Sequence, residues 1–117
     1  SVRAAAAQAQ LLVGDGRPVY LTLAERGMIV ATPGVGAPVH VAGFPVTDAP
    51  VDPVGAGDST TAALVCCLAA GAAPVEAALV ANLVGSVTVQ QIGTTGTASP
   101  ARIRRRWREV VRGLPPR

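Results

Sequence analysis

Lysine is absent from this sequence, and with it any GxxxxGK[ST] phosphate loop, whose lysine reaches the terminal phosphates of a nucleotide. All ten basic residues are arginine, and seven of them lie between Arg102 and Arg117, so the net charge of +3 is concentrated at one end. His40 is the only histidine and the two cysteines are adjacent, which leaves no ligand set at metal-binding spacing. Cys66 and Cys67 fall in a helical pattern, where neighbouring side chains diverge by about 100°, so a mutual disulfide is disfavoured. Both are expected to pack in a core, in a reducing compartment. Long apolar runs are missing too: LVCCLAAGAA breaks off well before the roughly 20 residues of a membrane span. The opening SVRAAAAQAQ has neither the continuous hydrophobic region nor the cleavage pattern of a signal peptide. The expectation is a soluble, cytoplasmic protein without a membrane partner, and the sequence has no internal repeat and no low-complexity linker.

What is present suffices for one small domain, since half of the 117 residues are apolar. Alanine content predicts a helix over residues 2–13, starting without an N-cap and ending in the Gly14-Asp15-Gly16 turn. VYLTL (19–23) and MIVAT (28–32) read as strands of a hairpin whose four-residue loop is Ala24-Glu25-Arg26-Gly27. PVHVAG (38–43) reads as a third strand, in which His40 faces solvent or a neighbouring strand. From Ser59 to Ala70 the period becomes helical, with Ala62, Ala63, Val65, Cys66 and Ala69 as the apolar stripe and Gly71 as the stop. Pro74 opens another helix, to about residue 91, on which Glu76 is read as an ordinary exposed residue. GTTGTASP (93–100) is a loop, and Ser99-Pro100 supplies the N-cap and first residue of a last helix. On that helix Ile103, Trp107, Val110, Val111 and Leu114 share one face, and Arg102, Arg105, Arg106, Arg108 and Arg112 occupy the rest.

Chemistry concentrates in VDPVGAGDSTTAAL (51–64). Glycines at 55 and 57 let the backbone turn tightly and approach a ligand, and the following helix start offers free N–H groups and a positive dipole end. Asp58 there has two readings. As an N-cap it would add about 1 kcal/mol of stability. As a base it would take a proton from an attacking hydroxyl while the loop amides stabilise charge on a transferred phosphoryl group.

Asp52-Pro53-Val54-Gly55-Ala56-Gly57-Asp58 resembles the D-x-x-G-A-G-D signature of the ribokinase-like, PfkB-type carbohydrate kinases. VYLTLAERG (19–27) is similar to the strand and T-L-G-x-x-G turn of that family, and ANLVGSVTVQQIGTTGTASP (81–100) to its adenine-side helix and loop. The resemblance implies an α/β fold: residues 1–117 would be the C-terminal nucleotide-binding and catalytic portion of a three-layer α/β/α domain, with part of the central sheet. The N-terminal sugar-binding half is outside it. The implied activity is ATP-dependent phosphorylation of a sugar or sugar-phosphate hydroxyl, and the GTTGTASP loop is similar to that of the branch acting on heptose phosphates. By the same resemblance Asp58 is the base, the amides of Gly55, Ala56 and Gly57 form the anion hole, and Thr22, Gly27, Asn82 and Gly85 border the nucleotide. Magnesium accompanies ATP. A monovalent cation such as potassium would be held by Asp52, Val54, Thr88, Gln91, Gly93 and Thr97, mainly through backbone oxygens.

Three departures from the family pattern stand out. Ala24 replaces the first glycine of the turn, Pro53 replaces a common threonine, and Asn82, the only asparagine, has no glutamate three positions on, so the N-x-x-E magnesium motif is missing. The alternative reading is a catalytically incomplete nucleotide-binding or assembly module, pairing with the missing half, another partner chain or a second copy as a homodimer. The run RIRRRWR is read as a solvated helix face rather than a nucleic-acid patch, because Trp107 falls on the apolar side.

Overall fold

The computed structural model describes residues 1–14, 16–46 and 50–113. Its elements, in chain order, are α1 (Val2–Leu12), β1 (Val19–Thr22), a 3₁₀ turn (Ala24–Arg26), β2 (Met28–Ala31), β3 (Val39–Val41), α2 (Ala56–Ala69), α3 (Pro74–Thr88) and α4 (Pro100–Arg112). The strands form an antiparallel sheet in the order β1-β2-β3. Pairing of Tyr20 with Val30 and of Met28 with Val41 puts these side chains on one face, against Ala78 and Ala81 of α3 and Ala63 and Leu64 of α2. Ile29 and Ala31 point the other way, with Val19 and Leu21, onto Ala5, Ala6 and Ala9 of α1. Helices thus cover both faces, and the central strand is buried at every position, which is why MIVA reads as a continuous apolar run rather than an alternation. Each large side chain buried there contributes about 1.5–3 kcal/mol.

Several local expectations change. Ser1 is the N-cap of α1, its hydroxyl accepting the Ala4 N–H at 3.2 Å, and the helix ends at an extended Val13 before the glycines are reached. Asp15 and Leu114 lie outside the described residues. His40 is exposed as expected, its Nε2 donating to the Arg26 carbonyl at 2.7 Å. Helix α2 starts at Ala56, three residues before Ser59, because Gly55 adopts the left-handed conformation and its carbonyl accepts the Ser59 N–H. The stop at Gly71 holds: with φ +92° there, the Gly71 and Ala72 amides return to Leu68 and Cys67. Helix α3 closes at Thr88 rather than near 91, since the Val89 carbonyl accepts the Asp52 N–H at 2.7 Å and the chain turns away. Glu76 is more than an exposed residue: its carboxylate accepts the Ala73 N–H at 3.0 Å and closes the start of α3.

The apolar stripe expected on α2 is not its packed side. Ala62, Val65, Cys66 and Ala69 are exposed, whereas Thr60, Ala63, Leu64, Cys67 and Leu68 lie half-buried toward α3 and the sheet. Both sides of this helix are apolar, so periodicity alone could not choose between them. Cys66 is accordingly exposed and Cys67 half-buried, neither in a sealed core, and burial with the adjacent Cys66 pushes the Cys67 thiol up. The two helices approach closely where Gly85 faces Thr60, and a Cβ at 85 would lie 2.9 Å from the threonine Oγ1.

Among the described residues Ala24 is the one non-glycine with positive φ, at +53°. A left-handed L-residue costs about 1–2 kcal/mol, partly offset by the lower unfolded-state entropy of alanine relative to glycine. Ala24→Gly should therefore raise the unfolding free energy by about 0.5–1 kcal/mol in urea titration. A destabilised variant would show that the turn relaxes to negative φ in solution.

Candidate active site

Gly55 caps α2 with φ +81° and presses against the 93–97 loop, so that a Cβ would come within 2.9 Å of Thr95 Cγ2. The Ala56 N–H donates to the Pro53 carbonyl at 3.1 Å and so closes the turn itself. Among the described residues the amides of Gly55, Gly57 and Asp58 have no partner, and two of these lie in the first turn of the helix. Asp58 is exposed and its carboxylate accepts no bond among the described residues, so it does not act as the N-cap. Gly57 is helical, and a Cβ there would touch nothing within 4 Å. Glycine in a helix interior costs about 1 kcal/mol relative to alanine, so folding gives no reason for glycine at this position.

The residues around the loop are held by their own bonds. Asp52 accepts the Val54 N–H and the Gly93 N–H, both at 3.0 Å, tying the loop before α2 to the loop after α3. The Gln91 carboxamide pairs with both backbone groups of Thr97, at 2.5 and 3.1 Å, and Arg102 donates to the Thr97 carbonyl and to Gln91 Oε1, both at 3.4 Å. The Thr88 carbonyl accepts the Gln91 N–H at 3.1 Å. The six positions expected to hold a monovalent cation are thus gathered in one place, with Asp52 bonded through its carboxylate and the Thr88 and Thr97 carbonyls accepting from Gln91. No group of three or more His, Cys, Asp or Glu residues among those described could hold a metal ion.

A cavity of about 410 Å³ opens from Ala56 and Gly57 toward the β1–β2 turn. Thr22, Gly27, Asn82 and Gly85, expected from the sequence to border a nucleotide, all line it. Gly43, Phe44 and Val46 form a further wall that sequence reasoning missed, because PVHVAGF reads only as a strand and its end. The volume falls in the range of small-molecule sites, about 300–1,000 Å³. Its apolar lining with a helix start at one end fits a base at one side and phosphates at the other.

Asn82 has a structural task in addition. It is buried, and its Nδ2 donates to the Val41 and Ala42 carbonyls at 3.0 and 3.2 Å, holding α3 to the end of β3. Its carboxamide oxygen has no partner among the described bonds. The Tyr20 hydroxyl is buried without a hydrogen-bond partner among the described residues, and burial raises its pKa from 10.0.

Residues 1–102 match the family described as pfkB family carbohydrate kinase. The bifunctional protein HldE of Bradyrhizobium sp. (strain ORS 278) is 40% identical over 103 residues, 88% of this chain and 20% of that protein. HldE of Caulobacter sp. (strain K31) is 43% identical over 75 residues, 63% of this chain and 14% of that protein. Among solved structures, phosphofructokinase-2 from Escherichia coli in complex with potassium superposes with a TM-score of 0.73 at 24% identity, covering 94% of this chain and 34% of that one. Arabidopsis thaliana ribokinase complexed with ribose and ATP gives 0.68 at 24%, covering 76% and 28%. The chain spans about a fifth of the length of the first of these HldE relatives. With a family match over most of its length and a ribokinase fold in the arrangement of sheet and helices, the chain belongs to the pfkB family of carbohydrate kinases.

Proposed function

We propose that this chain is the nucleotide-binding and catalytic portion of an ATP-dependent kinase for a sugar or sugar-phosphate hydroxyl, with a heptose phosphate as the acceptor class favoured by the GTTGTASP loop. The observation that carries the reading is Gly57: a helical glycine that the fold does not require, with a free amide, at the mouth of the 410 Å³ cavity and beside the exposed Asp58. Close approach of a phosphate explains what packing does not.

In this reading the adenine side of ATP lies between Gly27 and the Asn82–Gly85 stretch, and its phosphates lead toward the start of α2. Asp58 accepts the proton of the acceptor hydroxyl as its oxygen attacks the γ-phosphorus in line. The bond from phosphorus to the β–γ bridging oxygen breaks, and ADP leaves with that electron pair. The amides of Gly55, Gly57 and Asp58 face the charge that develops on the transferred oxygens. The Ala56 amide, committed to Pro53, is left out of the original set. The sequence has no N-x-x-E motif, and no group of three or more His, Cys, Asp or Glu among the described residues could hold a metal ion, so magnesium would be held chiefly by the phosphates of ATP. A cytoplasmic setting, where ATP is the donor, belongs to the same reading. Among the described residues no helix is long and apolar enough to cross a membrane.

A second reading, an incomplete module that works only with further protein, is favoured by the three-stranded sheet and by the exposed Val54, Val65 and Leu11. The chain binds ATP in the first reading and in the nucleotide-binding form of the second, but not where it serves assembly alone. Gly57→Ala tests that binding directly: the variant should melt at the same or a higher temperature, yet bind ATP at least about tenfold more weakly by calorimetric titration. Unchanged affinity would remove the α2 start from the phosphate site.

A further inference from the structure

Two of the arginines on α4 leave the solvated face that the sequence assigns to them. Arg102 reaches the Thr97 loop, and Arg106 goes deeper, its side chain only 14% exposed. The Arg106 Nε donates to Ser86 Oγ at 3.0 Å, and the serine hydroxyl in turn donates to the Leu83 carbonyl at 2.6 Å, so the oxygen is oriented to accept. One terminal nitrogen donates to the Pro45 carbonyl, and the other meets Glu109 Oε2 at 3.4 Å. Ser86 lines the cavity, and Pro45 sits between Phe44 and Val46, which line it as well. A single guanidinium therefore joins α4, α3 and the 43–46 segment on the outer side of the cavity wall.

We propose that Arg106 is a positioning residue that holds the 43–46 wall of the cavity in place, and that through this wall it sets affinity for the nucleotide; the second clause rests on the kinase reading above. The planar guanidinium matters because its donors diverge: one engages a side-chain oxygen on a helix, another a carbonyl on a loop. An ammonium at the same place is a single point and reaches one of them. The segment from Ala42 to Val46 contains no helix or strand of its own, so an external anchor has most to do there.

The test uses the 117-residue chain with Arg106→Gln, Arg106→Lys, Ser86→Ala and, as a solvated comparison on the same helix, Arg105→Gln. Nitrogen-15 relaxation of the backbone amides reads the wall, and titration with ATP reads the site. Arg106→Gln should lower the order parameters of the 43, 44 and 46 amides from rigid values of about 0.85 to below about 0.6 while α2 and β2 amides keep theirs, and should weaken ATP binding about tenfold. Arg106→Lys should not restore either, Ser86→Ala should give a smaller change in both, and Arg105→Gln none. Unchanged order parameters at 43, 44 and 46 in Arg106→Gln overturn the proposal, as does a loss of order spread equally over α2, α3 and the sheet. If the parent chain binds no ATP, the kinase reading fails, and the order parameters at 43, 44 and 46 still decide whether Arg106 holds the wall.

Discussion

Replacing Asp58 by asparagine should reduce phosphoryl transfer by about 10²–10⁴-fold, the contribution of a positioned general base, while leaving ATP affinity within about threefold. The measurement is sugar-dependent ADP release from the chain combined with a matching N-terminal half, since this segment spans a fifth of its HldE relative. The substitution is nearly isosteric, at an exposed site whose carboxylate holds no partner among the described residues. Loss of its charge near the positive end of α2 costs at most about 1 kcal/mol, too little to unfold the chain. A rate drop at constant melting temperature would therefore report chemistry. An Asp58→Asn enzyme with its full rate would end the assignment of this carboxylate as base, though not the nucleotide site.

The largest stability effect is expected at Gly27. Its φ is +92°, and a Cβ built there runs into the Val41 carbonyl oxygen, with Gly43 N at 2.5 Å and the Ala42 carbonyl carbon at 2.8 Å. All three are backbone atoms at the end of β3, with no flexible side chain to swing aside. Gly27→Ala must separate the β1–β2 turn from this segment or distort both, at a cost on the order of 4–5 kcal/mol, which is most of the stability of a small domain. Urea unfolding followed by circular dichroism reads the loss directly. Near-parental stability would mean that the turn and the 41–43 segment are not packed as described. Gly27 also lines the cavity, so stability must be measured before any loss of ATP binding is attributed to ligand contact.

Legibility followed the range of the interactions involved. The β-branched runs around AERG, the Ser99-Pro100 start, the Gly71 stop and the Pro74 start were all readable, because each depends on a few adjacent residues. So were Gly55, Gly57 and Asp58 as a place where backbone donors and a carboxylate meet. The side of α2 that packs was not readable, because alanine and cysteine stand on both sides and Val65 on the exposed one balances Leu64 and Leu68 on the packed one. Nor were the tasks of Asn82 and Arg106, whose partners are 41 and 61 residues away in sequence at Val41 and Pro45.

Local order and the chemical character of the helix start were thus dictated by the residues themselves, through φ preferences, missing or present N–H groups and side-chain charge. That the Asp52 carboxylate ties the loop before α2 to Gly93, and that Arg106 stands behind the cavity wall rather than in water, were decided by tertiary packing, of the two loops in the first case and of α4 against α3 and the 43–46 segment in the second. The reason is geometric: a hydrogen bond needs its partners within about 3 Å, and only the folded chain brings residues so distant in sequence that close.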